Sequence, residues 1–309
     1  MLDLLTQPWI IFFGLVIVMF TVDLVFGGRD AGLRNALAWS ALWIGTGLAF
    51  GLWLWTVQGR EPATAYYAAY LLEKSLSIDN IFVFVLIFSQ LRIPAHQQHR
   101  VLLLGIVGAL VMRAAMIWGG VYLLQRFHWI IYPFAALLLF AAFRLIFGES
   151  AERRIVEQSC AACSTWVAKF IPVTPLDHGQ RFLVRERGML VATPMLVALI
   201  LIETTDIIFA LDSIPAVLAI TRDPFIVYTS NIFALLGLRS LYFVLADVVE
   251  RFHYLRPGLA TILCFVAGKM LLADIVDIPV GLSLGIIVAI VAIAMGASWL
   301  FPKPKPAER

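Results

Sequence analysis

The sequence has little charge and little cysteine. Of its 309 residues, 14% are charged and 61% are hydrophobic, and the mean hydropathy is +0.92. A soluble domain carries about 25% charged residues because its surface faces water, so this composition indicates a chain whose surface faces lipid. Three cysteines, Cys160, Cys163 and Cys264, are too few for a disulfide framework. The net charge of +3 gives no reason to expect a nucleic-acid partner, because cytoplasmic loops of membrane proteins carry excess Lys and Arg in any case.

Long apolar runs are abundant instead. Runs close to the roughly 20 residues that cross a hydrocarbon core predict nine transmembrane segments, and these must be mostly helical because lipid offers no partner for backbone polar groups. The amino end has no basic region and no small-residue cleavage site, so we expect the first run to be a retained anchor. The predicted spans are 9–26, 36–55, 66–90, 101–124, 129–147, 190–220, 225–246, 257–273 and 278–301.

The Lys and Arg residues are divided unevenly between alternate loops. If the first loop is cytoplasmic, sixteen of the 23 lie on that side, three lie on the other and four lie within spans. The positive-inside rule then predicts an outside amino end and a cytoplasmic carboxyl end in the bacterial inner or plasma membrane. The segment 148–189 is expected to be a polar cytoplasmic loop. Its Cys160 and Cys163 have the spacing of a thiol redox motif or half a zinc site, which is a weak signal alone.

The chain also repeats itself. The stretch RFHWIIYPFAALLLFAAFRLIFGE from Arg126 resembles RFHYLRPGLATILCFVAGKMLLAD from Arg251, and SIDNI resembles ALDSI, which pairs Asp79 with Asp212. Each copy would span three helices, and because three is odd the second copy would be inverted in the membrane. Inverted repeats are typical of secondary transporters, whose binding sites lie near the midplane between the copies.

The predicted fold is therefore an all-α polytopic membrane protein with about nine helices and two inverted three-helix repeats. Its parts are two amino-terminal helices (1–65), the first repeat (66–147), the cytoplasmic loop (148–189), the second repeat (190–273), and the last helix with a cytoplasmic tail (274–309).

Acidic residues occupy the first helix of each repeat. A carboxylate at mid-helix costs about 2.5–3.5 kcal/mol on insertion scales, so it is retained only when paired, protonated, hydrated or bound to a cation. On a straight helix, carboxylates six residues apart would be spread by roughly 9 Å. Pro215 predicts a break in the second of these helices that would let them converge. The polar residues concerned are Glu73, Lys74, Asp79 and Asn80 in the third span, and Glu203, Asp206, Asp212 and Ser213 in the sixth.

Carboxylate, amide and hydroxyl oxygens suit hard cations, so the chemistry leaves Mn²⁺, Ca²⁺ and Mg²⁺ open. The alternative is that Lys74, Arg113 and Arg239 neutralise the acids in buried ion pairs. Five acids against three bases leave a surplus, which favours a cation site. Asp23, near the end of the first span, is expected to lie close to Arg29.

Three motifs resemble those of the TerC/Alx family: EKSLSIDN (73–80), ETTDIIFALDSIP (203–215) and TSNIFALLGLR (229–239). Members of that family are integral membrane proteins associated with tellurium resistance and manganese efflux, and the Alx branch was named a membrane redox modulator. The resemblance implies Mn²⁺ export, with Mn²⁺ as the transported ion. It also implies a set of ligands or proton carriers: Glu73, Asp79, Asn80, Glu203, Asp206, Asp212, Ser213 and Asn231.

Two other classes of protein compete with a transporter. An intramembrane aspartyl protease would need a GxGD motif, which is absent because Thr and Leu precede Asp206 and Asp212, so we do not expect an enzyme. A membrane protein that delivers metal or modulates redox state without transport remains open. The expected partners are the lipid bilayer and a divalent cation, while a homo-oligomer or other membrane proteins remain open as further partners.

Overall fold

The computed structural model describes residues 2–26, 33–147, 149–174, 179–186, 188–245, 254–273, 275–276 and 278–300. In this part of the chain the elements follow the order of the predicted spans, with additions in the long loop. The helices are α1 (Leu2–Phe26), α2 (Leu33–Gln58), α3 (Arg60–Gln90), α4 (Ala95–Arg126), α5 (Ile131–Phe147, after a 3-10 turn at His128–Ile130), α6 (Glu149–Ala168), α7 (Pro194–Leu218), α8 (Pro224–Leu236), α9 (Leu238–Leu245), α10 (Leu255–Leu271) and α11 (Val280–Leu300). The strands are β1 (Leu183–Glu186) and β2 (Met189–Ala192).

Within the described residues, five helical segments are long and apolar enough to cross a membrane: Arg34–Gln58, Ala95–Arg126, Pro194–Leu218, Pro224–Val244 (α8 and most of α9) and Val280–Leu300. Pro8–Leu24 and Ile131–Ile146 are shorter apolar helices. The helix α3 has the length to cross, but every 18-residue stretch of it carries at least three charged residues. The prediction of an all-α membrane protein is thus consistent with the structure, while the count of nine spans stays a prediction.

The packing places α3 and α7, the two helices with the acidic residues, at the centre. The helix α3 contacts α2, α7, α8 and α11, and α7 contacts α3, α4, α5 and α6. The helices α5 and α10 lie along each other. A second packing region joins α1, α2, α3 and α8 through rings that include Phe12, Phe50, Tyr66 and Phe233. The charged helices are therefore surrounded by apolar ones, and their polar groups must find partners inside the protein.

The segment 148–189 is more ordered than the polar loop that we expected. Val156, Cys160, Cys163 and Val167 recur at helical spacing, and this stripe packs α6 against α3 and α7. The strands β1 and β2 form an antiparallel hairpin in which Leu183 pairs with Ala192. Because β2 occupies 189–192, the sixth span begins at Pro194 instead of 190.

The predicted break at Pro215 is wrong. The helix α7 continues to Leu218 with Pro215 inside it, and because the proline lies in the last turn, its missing N–H removes little of the hydrogen-bond ladder. The interruption lies instead in the seventh span, where Gly237 separates α8 from α9. A Cβ at Gly237 would lie 2.8 Å from Lys74 Nζ and 3.1 Å from Trp43 Cβ, so a larger residue there would have to displace the lysine head group.

Candidate functional site

Arg113 of α4 is the centre of a buried cluster. Its Nη1 donates to Glu73 Oε2 at 2.9 Å and to Asn231 Oδ1 at 3.0 Å, while Nε and Nη2 donate to the two oxygens of Asp206 at 3.2 and 3.1 Å. Asn231 also donates through Nδ2 to Glu73 Oε1 at 2.7 Å. All four side chains are buried. With four hydrogen bonds and two carboxylates, Arg113 is a fixed structural cation.

A second pair of carboxylates lies six residues further along the same two helices. Arg256 Nε donates to Asp79 Oδ1 at 3.2 Å, and Arg144 Nη2 donates to Asp212 Oδ2 at 3.1 Å. The two aspartates interact electrostatically, and Arg144 acts on both. Glu73 and Asp206 are 133 residues apart, as are Asp79 and Asp212. Equivalent positions of α3 and α7 therefore supply both pairs of acids.

A small cavity of about 20 Å³ is lined by residues of both clusters. Its lining is shared between the Arg113 cluster, through Glu73 and Arg113, and the residues around Arg144. The oxygen-bearing residues at the second end are Asp79, Asn80, Asp212 and Ser213. Ser213 Oγ is buried and has no hydrogen-bond partner in the part of the chain that the structure describes. A buried unsatisfied hydroxyl is costly, so this end of the cavity has an unused oxygen that a ligand would satisfy.

Glu203 stands apart from both clusters. It is half-buried, three residues before Asp206 on α7, and its carboxylate lies against Gly108 of α4, where an added Cβ would collide with it. Within the described residues it has no ion pair or hydrogen bond. The five carboxylates thus outnumber the three guanidinium groups, which would leave a surplus of two negative charges if every acid were ionised.

Two of the three predicted counter-charges do not touch these acids. Lys74 donates to the carbonyl oxygen of Ala234 at 3.0 Å, near the end of α8. Arg239 donates to Asp23 Oδ1 at 2.6 Å, joining α9 to α1. The expectation that Asp23 lies close to Arg29 is untested, because Arg29 lies outside the described residues; Arg239 is a partner of Asp23 that sequence reasoning did not anticipate.

Sequence reasoning missed Arg144 and Arg256. Both lie near the ends of predicted spans, where the positive-inside count places them among the cytoplasmic loop charges. The repeat offered a partial signal, since Arg144 matches Lys269 in it, and Lys269 donates to Ser283 Oγ at 3.0 Å. Nothing in the spacing of Arg256 pointed to Asp79.

The eight predicted ligands fall into three places. Three of them, Glu73, Asp206 and Asn231, surround Arg113. The cavity is lined by four others: Asp79, Asn80, Asp212 and Ser213. The eighth, Glu203, lies beside Gly108. Across the residues that the structure describes, no three His, Cys, Asp or Glu side chains come together as a metal site would require. The cavity does bring three carboxylates, an amide and two hydroxyls to one space, and oxygen donors of this kind are what hard cations prefer.

The thiols of the long loop lie on the buried stripe of α6. Burial raises the pKa of Cys160 to about 11, with a smaller contribution from neighbouring Cys163, and burial also raises the pKa of Cys163. Since the thiolate is the reactive form, both thiols are poorly suited to redox exchange.

The fold and site define a multi-pass helical membrane protein with charged clusters buried between its helices. The model of the family described as "Integral membrane protein TerC family" matches residues 58–305. The chain is 47% identical over 301 residues to the uncharacterised membrane protein STKORF319 of Myxococcus xanthus, covering 96% of this chain and 93% of the other. It is 43% identical over 287 residues to Alx of Escherichia coli K12, and the match covers 89% of this chain and 88% of Alx. The name of that relative describes it as a proposed membrane-bound redox modulator.

This chain belongs to the TerC family of integral membrane proteins, and the resemblance inferred from its motifs is confirmed. As a member of that family it resides in a lipid bilayer. No solved structure matches it.

Proposed function

We propose that this protein exports Mn²⁺ from the cytoplasm through the carboxylate cavity, in exchange for protons. The observation that carries the proposal is the cavity itself, which joins Asp79 and Asp212 with an unsatisfied Ser213 hydroxyl in the interior of a membrane protein. Ionisable residues at membrane depth mark ion pathways. Oxygen ligands favour a hard divalent cation, and the resemblance to the TerC/Alx family implies that this cation is Mn²⁺.

The packing of helices supports two inverted repeats around this cavity. The first helix of each proposed repeat packs against the second helix of the other, since α3 contacts α8 and α4 contacts α7. The third helices, α5 and α10, pack against each other. Such reciprocal contacts are what a two-fold relation between copies produces, and the site then lies between the copies. The amino end is outside and the carboxyl end is cytoplasmic, as the loop charges indicate.

The charges leave room for protons. If all five carboxylates are ionised, Arg113, Arg144 and Arg256 leave two negative charges, which two protons would neutralise. Asp79 and Asp212 would hold the cation, with Asn80 and Ser213 completing its oxygen shell. Arg113 would keep Glu73, Asp206 and Asn231 in place at the inner end of the cavity, and Glu203, which has no ion pair among the described residues, would carry a proton.

The thiol pair gives no support to a redox role. The relatives named Alx carry a redox description in their names, but burial keeps the Cys160 thiol protonated in this chain.

Transport by the purified protein tests the proposal. Reconstituted in proteoliposomes, the wild type should move Mn²⁺ across the membrane, and Asp79→Asn and Asp212→Asn should each lose most of that flux. Asp223→Asn is the matched control, because Asp223 caps α8 by accepting from Phe225 N, which asparagine also does. Normal transport by both cavity variants would refute the site, and a flux that ignores an imposed pH gradient would refute the exchange for protons.

A further inference from the structure

We propose that Arg144 and Arg256 are tethered counter-cations: they neutralise the cavity aspartates when no metal is bound, and a divalent cation must displace them to bind. This inference rests on the proposed function. It assigns a role to two arginines that are more exposed than the arginine at the other end of the same cavity.

The contrast with Arg113 carries the argument. Arg113 is 1% exposed and is held by four hydrogen bonds to three side chains. Among the described residues Arg144 makes one hydrogen bond, to Asp212; the two side chains are 40% and 16% exposed, and those of Arg256 and Asp79 are 20% and 11% exposed. A partly exposed ion pair is worth less than a fully buried one, which is costly to break. The two outer arginines can therefore leave their aspartates, and Arg113 cannot.

The surroundings of the outer arginines also allow their guanidinium groups to move away from the aspartates. Arg256 lies over the ring of Phe82, 4.4 Å from its centroid, and this cation–π contact does not depend on Asp79. Arg144 projects from α5 and Arg256 from α10, and these two helices pack on each other while touching α7 and α3. A shift of the α5–α10 pair against α3 and α7 would withdraw both guanidinium groups together.

Displacement of this kind favours divalent ions. One divalent cation between Asp79 and Asp212 replaces the charge of both arginines, so the two carboxylates remain neutralised after both guanidinium groups leave. A monovalent cation would replace only one of them and leave a carboxylate uncompensated in a low-dielectric cavity. The arginines would thus select by charge, in addition to the selection that the oxygen ligands provide.

Metal binding by the purified, detergent-solubilised protein tests the inference. The variants are Arg144→Gln and Arg256→Gln, titrated with Mn²⁺ by isothermal calorimetry. Because the arginine competes for the site, its loss should lower the Kd for Mn²⁺ by about tenfold or more, as expected when the competent state is otherwise a minor one. Arg100→Gln is the matched control: it removes one positive charge from an exposed side chain that donates to the Gln180 carbonyl, so its Kd should equal that of the wild type.

Two lysine variants separate charge from misfolding. Arg144→Lys and Arg256→Lys keep the competing charge and should retain a Kd near the wild-type value, which also provides a folded reference if a glutamine variant is unstable. Tighter binding should be accompanied by a lower maximal export rate in proteoliposomes, because release becomes slower. Unchanged or weaker Mn²⁺ binding in both glutamine variants, with a wild type that binds, would overturn this inference alone. A wild type that neither binds nor moves Mn²⁺ would overturn the proposed function itself.

Discussion

Replacing Arg113 with methionine should strongly destabilise the fold. The substitution keeps much of the side-chain length but removes four hydrogen bonds and the positive charge between Glu73 and Asp206. Those carboxylates are 1% and 4% exposed, so they stay buried without a counter-ion. Removing one partner of a buried ion pair costs about 3–5 kcal/mol, and we expect a loss in that range. The same change at Arg144, whose side chain is 40% exposed and whose partner Asp212 is 16% exposed, should cost less than the change at Arg113.

The assay is equilibrium unfolding of the detergent-solubilised protein in increasing SDS, with a chelator present so that bound metal does not add stability. Adding Glu73→Gln and Asp206→Asn to Arg113→Met should recover most of the loss, because the uncompensated charges are then gone. The single-variant loss reflects buried charge only if this recovery occurs. If Arg113→Met unfolds at the same SDS concentration as Arg144→Met, the cluster is hydrated and the argument from burial is refuted.

Two further predictions concern α4 and α6. Gly108→Ala should reduce Mn²⁺ transport, because its Cβ would collide with the Glu203 carboxylate. Gly119→Ala on the same helix places its Cβ in open space and should transport Mn²⁺ normally. Equal fluxes through the two variants would contradict the contact between Gly108 and Glu203. Cys160 should resist alkylation, since with a pKa of about 11 only about one thiol in a thousand is ionised at pH 8. Its labelling rate, followed by mass spectrometry, should rise with pH towards that value, and rapid modification of Cys160 at neutral pH would refute its burial.

The acids could be found from sequence because their cost in lipid makes them conspicuous. Glu73, Asp79, Asp206 and Asp212 stand out in apolar runs, and their common offset is enough to pair them. Asn231 entered through the family motif, and it does hydrogen-bond Glu73. The spacing of the acids along the sequence could not predict how they are divided between the two ends of the cavity. This division depends on how α4, α5 and α10 pack against α3 and α7.

The counter-charges were harder to predict for a physical reason. An arginine side chain is long, so a residue near the end of a helix can place its guanidinium well inside the protein. Arg144 and Arg256 do so, although their backbone positions suggested loop charges. Conversely, Lys74 and Arg239 lie within predicted spans, but Lys74 donates to the Ala234 carbonyl and Arg239 donates to Asp23. The location of a Cα is thus a poor guide to the location of a cationic head group.

The same length of side chain explains how one cavity can carry both a fixed and a displaceable cation. Arg113 enters from mid-helix and is enclosed by partners on three other helices, so its charge belongs to the resting structure. Arg144 and Arg256 extend into the cavity from positions near helix ends, and part of each side chain is exposed. A change of side-chain rotamer could therefore move each guanidinium group away from its aspartate. Counting the fixed arginine alone, the five carboxylates have four negative charges to be compensated. Two tethered arginines compensate half of that charge, a divalent cation can take their place, and the remaining two charges are left for protons. An exchanger that alternates between arginines and metal therefore never has to leave Asp79 and Asp212 both charged and empty, the state that lipid makes most costly.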